Sequence, residues 1–213
     1  IALRARKYDA ITNAFIAQNP SCLVVNLGSG FDTRYWRIDH ERCRYVELDL
    51  PEMVELKKHV LGERLSFEMI GSSVLDRTWM EKVDAGSDGR TLLLAEGLFM
   101  YLPKAEVTSL FGDMSRRFRH SRIAFEVATQ QYTRGLWKAL VVWKMKRQTG
   151  FDAGSSYEFG VRNAREIESY GPGIRVIEEW SYVDDADVRP RILKHLGLSR
   201  KQWTVIASIG EQP

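Results

Sequence analysis

The most restrictive feature of this chain is a short apolar run that ends in glycines. Leu23-Val24-Val25-Asn26-Leu27 is nearly continuous in hydrophobicity and stops at Gly28-Ser29-Gly30. A run of this length, closed by a turn signal, reads as a strand buried on both faces, and such strands belong to parallel sheets. Parallel strands need crossover segments, normally helices, so the remaining sequence must alternate. It does. A helical stretch precedes the run, with Ala10, Ile11, Ala14, Phe15 and Ala17 expected on its inner side. Strands are predicted at 45–49, 65–70, 91–95 and 122–128, and helices at 51–60, 77–83 and 103–118. Pro51 and Pro103 open two of those helices, where the missing N–H does no harm. A long helix over 133–148 is expected to bury Trp137, Leu140 and Val141, followed by a loop over 150–160. Asn163 with Glu166 reads as a capping box for a helix ending near Tyr170. Two late strands, 174–182 and 202–209, flank a last helix at 188–196, which brings the count to seven strands.

The 213 residues suit a single domain, and no repeat or low-complexity segment divides them. Thirty-one Lys and Arg against 28 Asp and Glu leave a net charge of +3. A nucleic-acid-binding domain normally carries a larger and clustered basic excess, so no nucleic-acid partner is expected. No apolar run exceeds the five residues 139–143, far short of a membrane span. Nothing resembles a secretory leader, so a cytoplasmic location is the expectation. The chain opens on Ile1 rather than Met, which leaves room for a preceding segment. Cys22 and Cys43 are not spaced as a metal or redox pair, and His40, His59, His120 and His195 are scattered. They are expected to be reduced, partly buried thiols, and no metal site is expected.

Chemistry concentrates around the glycines. A strand running into Gly28-Ser29-Gly30 lets backbone approach a ligand closely, although glycines in such a turn often only make the turn. Asp49 lies 21 residues beyond Gly28, at the carboxyl end of the second strand. In nucleotide-binding α/β folds an acid at that place accepts the hydroxyls of a ribose. The alternative for Asp49 is a helix cap before Pro51. Glu47 points to the same face but deeper. The dinucleotide fingerprint wants a third glycine where this chain has Thr33, which argues against NAD and towards a nucleoside ligand without a diphosphate, such as S-adenosylmethionine.

At this point the chain resembles a known family. Ala5-Arg6, the block Val25-Asn26-Leu27-Gly28-Ser29-Gly30-Phe31-Asp32-Thr33-Arg34-Tyr35-Trp36-Arg37, the block Tyr45-Val46-Glu47-Leu48-Asp49-Leu50-Pro51 and the block Leu92-Leu93-Leu94-Ala95-Glu96-Gly97-Leu98-Phe99-Met100-Tyr101-Leu102-Pro103 keep their order and spacing. Together they are similar to the leucine carboxyl methyltransferase family, whose bacterial and archaeal members include relatives of the polyketide-synthesis O-methyltransferases. The resemblance covers residues 4 to about 128 and is loose beyond 130. It implies a class I, S-adenosylmethionine-dependent methyltransferase fold: a Rossmann-like, mostly parallel seven-stranded sheet with the last strand antiparallel and helices on both faces. Residues 130–172 would then form an acceptor-side lid.

Carried over by position, the resemblance gives Arg6 the carboxylate of the cofactor's methionine part, Gly28, Ser29 and Gly30 the backbone-approach loop, and Asp49 with Leu50 the ribose side. Ser73 and Val74 fall at the adenine, where Ser73 replaces the family's acid and Asp76 is close enough to substitute. Glu96 falls near the cofactor's amino group and the methyl donor; the alternative for it is an ion pair with Arg34 or Arg6. Methyl transfer from a sulfonium is an in-line displacement in which positioning supplies most of the catalysis. A carboxylate acceptor needs no general base, and no His or Lys stands inside the motif from Leu92 to Leu102. A hydroxyl acceptor would need one, with Glu96 or His195 as candidates and Tyr101 beside them. The acceptor walls are expected from Tyr101 and from residues 132–143, with Arg134 or Arg162 clamping an acceptor carboxylate. A small-molecule acceptor is the favoured reading, and a protein C-terminus is the alternative within the family. A catalytically reduced nucleoside-binding protein of the same fold and an NAD-linked oxidoreductase are the competing classes.

Overall fold

The apolar run ahead of the glycines forms β1 (Cys22–Leu27), buried at every position. The computed structural model describes residues 2–83, 90–133, 157–185, 187–188 and 201–210. The remaining strands are β2 (Cys43–Asp49), β3 (Glu68–Gly71), β4 (Thr91–Ala95), β5 (Ser121–Ala128), β6 (Arg175–Trp180) and β7 (Gln202–Ile209). They make one sheet in the order β3-β2-β1-β4-β5-β7-β6. β1 pairs in parallel with β2 on one side and β4 on the other, and β7 runs antiparallel between β5 and β6. The expected seven strands with an antiparallel last strand are therefore present. The strand order reverses at β1 and β4, and their carboxyl ends flank the crevice where open α/β sheets bind ligands.

Period-two alternation sorts the strand residues onto two faces. Leu23, Val25, Leu27, Leu93 and Ala95 join one core with Val107, Leu110, Phe111 and Met114 of α4 (Lys104–Arg117). Val24, Leu92, Leu94 and Ala124 join the other with Tyr8, Phe15 and Ile16 of α1 (Ala2–Gln18). The inner face of α1 corrects the sequence expectation: Tyr8, Thr12, Phe15 and Ile16 are buried, while Ala10, Ala14 and Ala17 are exposed. Both stripes have helical spacing, and the one with the larger side chains removes more apolar surface from water. α2 (Pro51–Leu61) begins at its proline as expected, and α3 (Trp79–Lys82) is shorter than predicted.

β3 starts only at Glu68, later than the predicted 65, because Phe67 packs its ring against Tyr35 and Tyr45. The Asn163 cap is present, its Oδ1 accepting from the Glu166 amide at 3.2 Å, but the segment it starts, Ala164–Tyr170, is a 3₁₀ helix. The predicted helices at 133–148 and 188–196, with Arg134, His195 and the Trp137 stripe, lie essentially outside the described residues. Both cysteines are free, and burial pushes their thiols up, to about 11 for Cys22 and about 12 for Cys43. Among the described residues no helix is long and apolar enough to cross a membrane.

Glu166 fastens the 3₁₀ helix to its surroundings. Its carboxylate accepts from the Arg162 amide at 3.0 Å and the Tyr170 hydroxyl at 3.1 Å, and it pairs with the Lys104 ammonium. Burial alone would raise its pKa, but these donors outweigh burial and hold it at about 2. A depressed folded-state pKa contributes stability above the ordinary carboxylate range, and that contribution is lost as pH falls towards the folded value. Glu166→Gln is therefore expected to cost about 1–2 kcal/mol at neutral pH. In urea denaturation, the gap to the native protein should close between about pH 5 and pH 2; a gap independent of pH would contradict the assignment.

Candidate active site

The glycine turn after β1 is built for close approach. Gly28 has φ +63° and its amide donates to the Leu48 carbonyl at 2.7 Å. A Cβ on Gly28 would press on the Leu98 side chain, with Cδ1 at 2.8 Å, and the left-handed backbone is what favours glycine here. The turn is held from beneath by buried polar groups. Ser29 Oγ donates to Glu47 Oε2 at 3.0 Å, and Lys57 Nζ donates to the same oxygen at 2.5 Å and to the Asp32 carbonyl at 2.8 Å. Glu47 and Lys57 are essentially inaccessible to solvent. Burial raises the Glu47 carboxyl above the usual range, with the Lys57 ammonium and Ser29 hydroxyl pulling the other way. Asn26 adds a bond from Nδ2 to Asp32 Oδ2 at 3.0 Å.

Asp49 completes the turn from the end of β2. Its Oδ2 accepts from the Gly30 amide at 2.6 Å and its Oδ1 from the Leu50 amide at 2.8 Å. The helix-cap alternative is not what is seen, because Leu50 occupies the N-cap position of α2. A carboxylate has about four acceptor positions, so two remain for a ligand. Thr33, where a dinucleotide site would carry glycine, instead accepts from Arg37 Nη1 at 2.5 Å.

An arginine–carboxylate network forms the opposite wall. Glu96, just past β4, accepts from Arg4 Nε at 2.5 Å and from Arg34 Nη2 at 2.6 Å. Arg34 is fully buried, with Asp9 at 3.1 Å, Asp32 at 2.6 Å and the Tyr8 ring 5.3 Å away. Arg4 reaches past Glu96 to Glu126 Oε2 at 2.9 Å. Glu126, buried in β5, also accepts from the Tyr182 hydroxyl at 2.5 Å and from Gln202 Nε2 at 3.2 Å. Between the turn and this network lies a cleft of about 320 Å³ lined by Arg4, Asn26, Gly28, Ser29, Phe31 and Glu96, among others. Its size and its few convergent polar groups are those of a small-molecule site.

Of the residues singled out in the sequence, Gly28, Ser29 and Glu96 line the cleft, and Gly30 and Asp49 are joined next to it. Glu96 does form the ion pair with Arg34 that stood as its alternative, but its second partner is Arg4. Arg6 lies elsewhere, with its side chain 57% exposed and paired to Asp185 and Asp187. Helical spacing explains the exchange: Arg4 stands four residues before the buried Tyr8, on the sheet side of α1, whereas Arg6 does not. Leu50 is 53% exposed. Ser73 Oγ accepts from the Leu75 amide, and Val74 is packed into the core with its carbonyl accepting from Trp79 Nε1. Asp76 is occupied at the Thr78 amide.

Tyr101 packs against Tyr157 with ring centroids 5.6 Å apart, and Tyr157 lies 6.4 Å from Tyr132. Arg162 is solvent-facing and pairs with Glu166 at 3.6 Å. Sequence reasoning missed Arg4, Lys57, Glu126, Tyr157 and Tyr182. For Arg4 the helical period was the available signal, and for Glu126 the lone acid within Ile123-Ala124-Phe125-Glu126-Val127-Ala128. Lys57 carries no local signal, since it matters only through Glu47. Among the described residues no group of metal-ligating side chains comes together.

Comparison with known proteins places these observations. The family model for leucine carboxyl methyltransferases matches residues 1–115, more than half of the chain. The tetracenomycin polyketide synthesis O-methyltransferase TcmP of Streptomyces glaucescens is 29% identical over 198 residues, covering 89% of this chain and 68% of that protein. The S-adenosyl-L-methionine-dependent methyltransferase dpfgK of Gibberella zeae is 23% identical over 192 residues, covering 87% of this chain and 64% of the relative. This chain thus spans about two thirds of the length of each. Leucine carboxyl methyltransferase 1 of Debaryomyces hansenii is 46% identical, but over 59 residues, 26% of this chain and 16% of the relative. Among solved structures, magnesium protoporphyrin IX methyltransferase from Synechocystis, with bound S-adenosylhomocysteine, superposes with a TM-score of 0.56 at 12% identity, covering 98% of this chain and 84% of that one. Geranyl diphosphate C-methyltransferase from Streptomyces coelicolor gives 0.58 at 13% identity, covering 97% and 82%. The fold is that of the class I S-adenosylmethionine-dependent methyltransferases.

The buried pair beneath the turn yields a direct test. Lys57→Met leaves the Glu47 carboxylate inside the protein without its cation, which is expected to cost about 3–5 kcal/mol. Replacing both partners, Glu47→Gln with Lys57→Met, is expected to cost less than Lys57→Met alone, as a double-mutant cycle in urea would show. Additive losses would mean the two groups do not act as a pair.

Proposed function

This chain belongs to the leucine carboxyl methyltransferase family, and on that premise we propose that it is an S-adenosylmethionine-dependent O-methyltransferase whose cofactor occupies the cleft between the glycine turn and Glu96. The observation that carries the reading is the pairing of opposite charges in the cleft wall beside a turn whose left-handed backbone favours glycine. Arg4 and Glu96 offer a cation and an anion to a ligand that ends in an amino acid, and Asp49 offers free acceptor positions to ribose hydroxyls. Gly28, in left-handed backbone, leaves the turn open to backbone contact where a Cβ would displace the Leu98 side chain. The residues present therefore fit the cofactor. In this reading Arg4 takes the carboxylate role first given to Arg6. Leu50 adds exposed apolar surface beside Asp49, and Ser73 and Val74 border the adenine through their backbone.

The cofactor supplies a methyl group on a sulfonium sulfur; the protein's share is to bind, orient and exclude water. An acceptor that arrives ionised needs no base, and the two carboxylates at the Arg4 end of the cleft are both occupied. Glu96 is engaged by two arginines, and Glu126 by Arg4, Tyr182 and Gln202. Burial pushes the Tyr101 hydroxyl up and that of Tyr157 to about 12, so both stay protonated as donors. This favours a carboxylate over a hydroxyl as methyl acceptor. Tyr101, Tyr132 and Tyr157 form an aromatic wall suited to a small organic acid, with Arg134 or Arg162 as the proposed clamp on a further acidic group. A protein C-terminus is the second reading, supported by the short stretch shared with leucine carboxyl methyltransferase 1. The proposed site of action is the cytoplasm.

Calorimetric titration with S-adenosylhomocysteine, NAD and ATP tests the cofactor assignment; binding of NAD instead of S-adenosylhomocysteine would sink it. Asp49→Ala is expected to weaken S-adenosylhomocysteine binding by about 1–3 kcal/mol, the cost of leaving polar groups unpaired. Unchanged affinity in the folded variant would remove Asp49 from the site. For the acceptor, labelled methyl donor with a panel of carboxylic acids and phenols should mark the acids. Their rate should stay flat from about pH 6 to pH 9, since a carboxylate is ionised throughout. A rate that climbs with pH would show that a base is needed after all.

A further inference from the structure

The Arg4 guanidinium is shared between two carboxylates that differ in kind. Its Nε faces Glu96 at 2.5 Å, and both of these residues line the cleft. Its Nη1 faces Glu126 at 2.9 Å, and Glu126 is fully buried. Glu126 is itself fixed from two further segments, by the Tyr182 hydroxyl beyond β6 at 2.5 Å and by Gln202 at the start of β7 at 3.2 Å. Gly97 lies against the arrangement, and its left-handed backbone rather than any lack of space is what favours glycine there. It has φ +68°, and a Cβ there would stand 3.6 Å from Glu126 Oε2 and 3.7 Å from Arg4 Nη1.

This division matters for a ligand that brings both charges. An amino-acid end has an ammonium that seeks Glu96 and a carboxylate that seeks Arg4, yet Arg4 and Glu96 are already bonded to each other. Admitting the zwitterion means exchanging one ion pair for two, and during that exchange Arg4 must not follow Glu96 or swing into solvent. A second anion outside the cleft can hold Arg4 while Glu96 is given over. Arg34 performs the matching service for Glu96, which keeps a bond at 2.6 Å when Arg4 is taken by the ligand.

We infer that Glu126 is a positioning residue: it anchors Arg4 from behind, so that the amino-acid end of the ligand can insert between Arg4 and Glu96. The inference rests on the cofactor reading above and deepens it, since it assigns Glu126 a role towards one half of the ligand only. The nucleoside half meets the glycine turn and Asp49, and none of these touches Glu126 in the described structure.

The test compares two probes in the full chain. S-adenosylhomocysteine carries the amino-acid end, and 5′-methylthioadenosine has the nucleoside and sulfur without it. Glu126→Gln keeps the shape and removes the charge. Calorimetry should show S-adenosylhomocysteine affinity falling by roughly tenfold or more, the value of a bond to a charged group. Affinity for 5′-methylthioadenosine should stay within about twofold, since no charged contact is lost on that half. Equal losses for the two probes, or no loss for either, would overturn the inference, because a merely structural role for Glu126 cannot distinguish them. If Glu126→Gln does not fold, Tyr182→Phe removes one of the groups that fix Glu126 and must show the same selective loss in smaller degree. Should the native protein bind neither probe, the cofactor reading itself falls and this inference with it; native binding with an unselective variant overturns the inference alone.

Discussion

A guanidinium sealed from solvent ties the site to the fold. Arg34 follows the glycine turn, yet its charge is shared among Asp9 of α1, Asp32 of the turn and Glu96 beyond β4. Taking such a charge out of water costs several kcal/mol, and only good geometry with several carboxylates offsets it. Burial works against the cation, while Asp32 and Glu96 outweigh burial and keep its pKa raised. The gain is in placement rather than in net stability. With Arg34 fixed, the amino-terminal helix, the turn and the end of β4 share one frame, and the walls of the cleft are set relative to one another. Arg37 repeats the pattern nearer the surface, reaching the same two aspartates with a more exposed side chain.

The turn has a second buried support on the side of α2. Lys57 reaches from that helix to Glu47 and to the Asp32 carbonyl, so Asp32 is held by cations from both directions. The glycines therefore confer close approach without mobility: Gly28 and Gly30 adopt left-handed backbone, while their neighbours Ser29 and Asp32 are pinned by side chains. This is preorganisation in a literal sense, because the donors facing the cleft are already oriented before a ligand arrives. It also explains why polar residues sit inside strands. Asn26, Glu47 and Glu126 interrupt otherwise apolar runs, and each has its hydrogen-bond partners in this network.

Much of this was legible in the chain. Continuous apolar runs mark β1 and β4, since strands buried on both faces carry no polar alternation, and Pro51 marks the start of α2. The Gly28 turn and Asp49 are near in sequence to the strands that place them, so their spacing carries the site. What was not legible depends on contacts between distant segments. Arg4 and Arg6 differ only in which way α1 faces, which is decided by whether the Tyr8 and Phe15 stripe or the alanine stripe meets the sheet. The partnership of Lys57 with Glu47 and that of Tyr182 with Glu126 cross the fold, and no local rule announces them. The short β3 has the same origin: Phe67 belongs to an aromatic cluster with Tyr35 and Tyr45 that only the folded sheet edge assembles.

The network also constrains the chemistry it surrounds. The two carboxylates that line the cleft, Asp32 and Glu96, are bonded to arginine, Asp49 beside it is fixed by two backbone amides, and burial holds the nearby tyrosines protonated, so the wall is rich in fixed charge. Such a wall is better suited to orienting and neutralising than to deprotonating. A reaction that needs only placement of an ionised oxygen beside an electrophilic methyl group matches that inventory, since alignment and exclusion of water supply its acceleration. The same inventory would serve poorly for hydride transfer with proton relay, where a group must gain and lose a proton in each cycle. The proposed reading accordingly assigns acceptor selection to the tyrosine side, where Tyr101, Tyr132 and Tyr157 come from three separate segments. Among the described residues, a hydrogen bond from the Tyr157 hydroxyl to Gln202 at 3.5 Å, and one from Gln202 to Glu126, link the two sides. On the proposed reading, so slender a link lets the methyl-donor half of the site stay constant while the acceptor half varies with the residues that build it.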